Sequence, residues 1–220
     1  MTVNTLVAPL ALAALLATSA AQAAITIYTS QASFLAATSG PVGVDTYDNL
    51  DPTEPLGTPI ARTAGTFSYT AAAGPLSNFF PAGTSGADVW LATNNRTDTI
   101  TFSGFSAGVG AVGGFFFRSD LDGQATSLPA IINIRATDSF GVTVTQAQIN
   151  PAVTSFVGFV SNGTISSLQV FVGMERTGTV DVWPTVNNLH VAAAIPEPQT
   201  CALMLAGLGL VGFMARRHQR

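Results

Sequence analysis

Between residues 24 and 195 the chain alternates with a period of two, in short runs cut by turn-forming residues. Asp98–Phe102, Ile131–Arg135, Val142–Thr145 and Leu168–Val172 are rich in β-branched and aromatic residues with polar ones between them. A strand throws successive side chains to opposite faces, so such runs bury one face of a sheet and leave the other wet. Ser103-Gly104, Asp122-Gly123, Ser139-Phe140-Gly141 and Asn162-Gly163 interrupt them. Further strands are expected over Ile25–Tyr28, Val42–Tyr47, Thr66–Thr70, Val89–Thr93, Val109–Arg118 and Val186–Ala192, with one helix over Gln31–Thr38 capped by Ser30. Asn162-Gly163, between Phe156–Val160 and Ile165–Val172, predicts a hairpin. Leu50–Ala64 and Ala71–Asp88 are expected to be long surface loops. Eight or more short strands with frequent turns predict an all-β fold, a jelly-roll-like β-sandwich, with a barrel as the alternative.

That segment carries eleven acids against five arginines, and the whole chain has no lysine. Nucleic-acid binding needs clustered cations to displace counterions, so this composition argues against it. Cys201 is the sole cysteine and falls in an apolar stretch near the C-terminus, which leaves residues 24–195 without a disulfide.

Both ends depart from the pattern. Leu6–Ala17 is apolar, and Ala21-Gln22-Ala23 supplies a small-x-small cleavage site, so residues 1–23 are expected to be a signal peptide removed by signal peptidase. No Lys or Arg precedes the apolar run, leaving the terminal amine as its positive charge. At the other end Pro196-Glu197-Pro198 leads into an uncharged stretch from Thr200 to Ala215, and Arg216, Arg217 and Arg220 follow. The two prolines remove amide donors and keep Glu197 on an extended, accessible backbone. A transmembrane helix over 200–215 would be about 24 Å long, and the arginines would act as its stop-transfer signal on the cytoplasmic side.

In its order of parts, residues 196–220 resemble the PEP-CTERM sorting tail of Gram-negative bacteria that make extracellular polysaccharide. The resemblance rests on Pro196-Glu197-Pro198, Ala202–Leu210 and Ala215-Arg216-Arg217. It implies a substrate of an exosortase-type transpeptidase, held transiently in the inner membrane and cut near Pro-Glu-Pro. Residues 24–195 are faintly similar to the passengers that precede such tails. Tyr28–Leu35 looks like their opening strand and helix, Phe105–Phe115 like their central strand, and Val186–Val191 like their last. Those passengers often carry Asp where this chain has Asn187, so an ion-binding role for that acid does not carry over.

Catalytic constellations are poorly supported, and no catalytic residue is assigned. His190 is the sole histidine of residues 24–195, which gives a nucleophilic triad little to work with. A glycosidase needs two converging carboxylates, and no spacing in the sequence pairs them. Asp120-Leu121-Asp122-Gly123 sets two carboxylates before a glycine, so calcium is the one ion these residues could serve; Asp45, Asp48 and Asp51 form a looser cluster. With so few soft donors, zinc is excluded. Trp90 and Trp183 are the candidate ligand aromatics, with Tyr47, Phe79 and Phe80 behind them and Asn94, Asn95, Asn187 and Asn188 as polar partners. A flat threonine array is not visible, because Thr97, Thr99, Thr101, Thr143 and Thr145 are scattered.

These features predict an exported, non-enzymatic protein of the cell envelope or extracellular matrix, binding or structural in the polysaccharide layer. The alternatives are a membrane-anchored ion- or carbohydrate-binding module and a polysaccharide-active enzyme.

Overall fold

The computed structural model describes residues 24–75, 77–84, 87–173, 181–194, 207–209, 211 and 216. The signal segment and Pro196–Pro198 lie outside the described residues. Gly207–Gly209, Val211 and Arg216 in the tail are helical and exposed. No helix among the described residues is long and apolar enough to cross a membrane.

Between residues 24 and 194 the described residues form these elements in chain order: β1 (Ile25–Tyr28), α1 (Gln31–Ala36), β2 (Thr38–Asp45), β3 (Ile60–Ala64), β4 (Phe67–Ala72), β5 (Phe79–Thr84), β6 (Asp88–Thr93), β7 (Ile100–Ser103), β8 (Val109–Ser119), β9 (Ile131–Asp138), β10 (Thr143–Ile149), β11 (Phe156–Ser161), β12 (Ile165–Val172) and β13 (Trp183–Ala194). They form a β-sandwich. The seven-stranded sheet runs β1-β11-β8-β13-β6-β5, with β2 also on β13; the six-stranded sheet runs β10-β9-β12-β7-β4-β3. Every pairing is antiparallel.

The alternation explains the layers. In β9, Ile132, Ile134 and Ala136 turn inward and are buried, while Asn133, Arg135 and Thr137 turn outward and are partly exposed. They meet Leu168 and Val170 of β12, Ile100 and Phe102 of β7, and Phe116, Phe159 and Leu91 from the other sheet in one continuous core. β8 is buried along nearly its whole length because both of its faces are covered. Of its three consecutive aromatics, Phe116 enters the inter-sheet core. Phe115 and Phe117 point outward, into two smaller clusters.

α1 covers the first of these clusters. Ser30 accepts the Ser33 amide at 3.2 Å and caps the helix, and Phe34 drops onto the sheet beside Phe156 with ring centroids 5.4 Å apart. Gly158 makes the close approach possible: a Cβ there would sit 2.2 Å from the Phe34 ring. The helix stops at Ala36, earlier than the sequence predicts, because Thr38 already belongs to β2.

Three further expectations change. The stretches read as loops contain β3 and β5. Both are sheet edges; the outer side of β5 meets Leu56 at Phe79 alone, so Pro81 and Gly83, farther along it, cost little. Asn162-Gly163 does not close a hairpin: β11 pairs with β1 and β8, whereas β12 pairs with β7 and β9, so the dipeptide carries the chain between sheets. Hairpins do close locally elsewhere, joining β9 to β10 around Gly141, whose φ is +83°, and β3 to β4 around Gly65, whose φ is +59°.

Candidate functional site

A groove of about 660 Å³ lies among the described residues where the end of β2 crosses the β3–β4 hairpin. Gly43 sets that crossing, since a Cβ on it would lie 1.8 Å from the Ala64 carbonyl oxygen. Asp45, two residues on, therefore reaches Arg62 on β3: Nε donates to Oδ2 at 2.9 Å and an Nη donates to Oδ1 at 2.5 Å. The same Nη donates to Asn49 Oδ1 at 2.9 Å. Tyr69 donates its hydroxyl to Asp45 Oδ2 at 2.6 Å, and its oxygen lies 3.2 Å from that of Tyr47, whose ring stacks under the Arg62 guanidinium.

Burial alone would lower the Arg62 pKa, but the hydrogen-bonded Asp45 charge overrides it and raises it. Burial first, then the neighbouring acidic groups, pushes both phenols far above their usual range, so they stay protonated. Asp45 is thus held by two arginine donors, a phenol and the Tyr47 amide. A carboxylate held this way fixes a polar floor.

A smaller hollow of about 250 Å³ is lined by Trp183, Asn94, Asp120, Leu121 and Thr93 among others. Trp183 is half-buried and donates its indole N–H to the Asn94 carbonyl at 3.3 Å. Trp90 belongs to the core: it is 7% exposed, donates to the Gly123 carbonyl at 3.0 Å and stands edge-on to Phe117 at 5.3 Å. Of the two tryptophans, Trp183 alone meets a hollow.

Asp120 Oδ1 accepts the Gln124 amide at 2.8 Å and closes its own turn, while Asp122 is exposed beside it. Asp48 accepts the Val89 amide at 3.0 Å, and Asp51 accepts the Thr53 amide and hydroxyl, which holds its carboxyl below the usual range. No group of three His, Cys, Asp or Glu positioned for a metal occurs among the described residues. Asn187 donates to Asp88 at 2.8 Å, and its own Oδ1 is buried without a hydrogen-bond partner.

His190 lies under α1, among Phe34, Phe115 and Phe156. Its Nδ1 donates to the Asn188 carbonyl at 2.6 Å and its Nε2 accepts from Gln31 at 2.9 Å, which makes it a neutral imidazole. Burial lowers its pKa, outweighing the opposite pull of the Asn188 carbonyl. No serine or cysteine nucleophile stands among these contacts.

Sequence reading singled out neither Arg62 nor Tyr69. The Asp45–Arg62 pair spans seventeen positions and depends on a crossing that Gly43 permits. The signal in the sequence was the unusual arginine inside a stretch taken for loop.

Residues 194–218 match the PEP-CTERM protein-sorting motif, which marks the chain for export and exosortase-directed sorting to the cell envelope or extracellular space. No curated protein matches the chain. Among solved structures, the CBM22-1 xylan-binding domain from Paenibacillus barcinonensis Xyn10C is similar at 14% identity and a TM-score of 0.36, over 72% of this chain and 99% of that one. That likeness is too distant to transfer a ligand.

Proposed function

We propose that the sandwich is the cargo of its tail: a non-enzymatic protein, binding or structural, delivered to the exopolysaccharide layer. The repeated passage of the chain between its two sheets supports a jelly-roll-like arrangement. Signal peptidase releases the chain after Ala23, the C-terminal helix holds it in the inner membrane, and an exosortase-type transpeptidase cuts near Pro196–Pro198. The observation that carries this reading is the motif match over residues 194–218.

Intact-mass analysis of protein from an exosortase-bearing host tests the delivery. The reading expects loss of both the leader and the arginine tail, and Glu197→Ala should fold and export normally while uncut protein accumulates in the membrane. A mature chain that keeps Arg220 would leave instead a membrane-anchored carbohydrate-binding module. Trp183, half-buried in a hollow with Asn94 and Asp120, is what favours that second reading.

A further inference from the structure

The outer face of the six-stranded sheet places hydroxyls in register across five strands. Thr143 on β10 is opposite Thr137 on β9, Thr137 opposite Ser167 on β12, Ser167 opposite Ser103 on β7, and Ser103 opposite Thr70 on β4. A bulge between Ile165 and Ser167 brings Ser167 into this line. All five are exposed or partly exposed, and the Thr137 and Thr143 hydroxyls hydrogen-bond at 2.9 Å. The next row along the strands is Thr145, Arg135, Gln169 and Thr101. Arg135 donates to Thr145 at 3.2 Å and lies over the Phe171 ring at 5.0 Å.

We infer that this face is a docking platform for a single strand of neutral polysaccharide, laid across the β-strands along the hydroxyl row. The proposal rests on delivery to a polysaccharide layer and names the surface that meets it. Three properties select this occupant. Neighbouring strands are about 4.8 Å apart, so the row offers a donor–acceptor hydroxyl at a step close to one sugar ring and runs about 19 Å. The rows carry one charge, Arg135, and no carboxylate, which suits an uncharged hydroxylated polymer and gives an anionic one little hold. Adjacent strands also twist by about 20–25°, which a flexible glycan can follow and a flat crystalline surface cannot. At its β4 end the row runs into the larger groove, whose lining includes Thr70, Ser68 and Gly104. The chain therefore has a place to continue.

The test is affinity electrophoresis of the full-length protein in mild detergent, in gels cast with hydroxyethyl cellulose, dextran or galactomannan, and with polygalacturonate as the charged counterpart. The platform predicts retardation by at least one neutral polymer, insensitive to salt. Combined Ser103→Ala, Thr137→Val and Ser167→Ala should weaken it about tenfold or more, with an unchanged melting temperature. Ser103→Thr with Ser167→Thr, which keeps every hydroxyl, should bind as wild type does. Undiminished retardation of the triple variant would overturn the platform. If Trp183→Ala abolishes retardation while the triple variant keeps it, carbohydrate binding stands at the other hollow and the platform falls. Retention by polygalacturonate alone, lost at high salt, overturns the neutral ligand. Self-association abolished by the triple substitution gives the face to a second copy and overturns it too. Absence of retardation in every neutral gel overturns the platform, while the processing experiment still decides the delivery separately.

Discussion

The two sheets carry opposite outer faces. On the seven-stranded sheet the outward residues of β8 are Phe115 and Phe117. Phe115 is roofed by α1 with Phe34, Phe156 and His190, and Phe117 by Trp90, which hydrogen-bonds to the loop after β8. On the six-stranded sheet the outward residues of the two middle rows are threonines, serines, Gln169 and Arg135, which lies over the Phe171 ring, and among the described residues no helix covers them. A strand whose outer face is aromatic must be covered to gain from the hydrophobic effect, whereas one faced with hydroxyls loses by being covered unless each finds a partner. The covered face thus holds stability and the bare face is left for contact.

That contrast predicts a steep gradient in mutational cost. Phe34→Ala should cost about 3–5 kcal/mol, because it empties the space beneath α1 that Gly158 was shaped to receive. Urea unfolding of the full-length protein measures it, and a loss below about 1 kcal/mol would mean the helix is a loose cover.

Asp45→Ala sharpens the comparison at the seam between the sheets. It removes the acceptor of both Arg62–Asp45 bonds and leaves the guanidinium its bond to Asn49, and the pair's side chains are 10% and 4% exposed. Allowing for that exposure of the arginine, the loss should be about 2–3 kcal/mol. Asp45→Ala combined with Arg62→Met should recover part of it by the same measurement.

Acid should loosen the covered face selectively. Unfolded imidazole takes up its proton near the usual value of about 6.5, while buried His190 resists protonation. Just below that value the unfolded state binds more protons, so stability is complete above it and falls as pH drops through it. Urea midpoints between pH 8 and pH 5.5 should decline for wild type and decline less for His190→Gln. Equal slopes would remove His190 as the cause.

The smallest effect belongs to the bare face. Thr137→Val and Thr145→Val should each change stability by less than about 0.5 kcal/mol in the same assay. A larger loss would mean the hydroxyl row is part of the fold.

The sandwich was legible wherever one face of a strand was buried, as in β9, whose inward Ile132, Ile134 and Ala136 set a clear alternation. It was illegible at β5, where Pro81 and Gly83 interrupt the run, and at β3, a short edge strand that closes a stretch rich in Pro and Gly. Asn162-Gly163 misled because a turn dipeptide constrains a few residues and not which sheet receives the next strand. Thr101 and Thr143 read as scattered for a related reason. The alignment of Thr143 with Thr137, Ser167 and Ser103, and of Thr101 with Gln169 and Arg135, is set by register between strands, which period-two patterning does not encode.

Hydroxyl-radical footprinting of the full-length protein, with and without a neutral polysaccharide that retards it, tests the division of labour between the faces most directly. The account predicts protection of Phe171 and Ile131 on the six-stranded sheet, with Phe34, Trp90 and Trp183 unchanged. Protection centred on Trp183 and Leu121, with Phe171 unaffected, would contradict it.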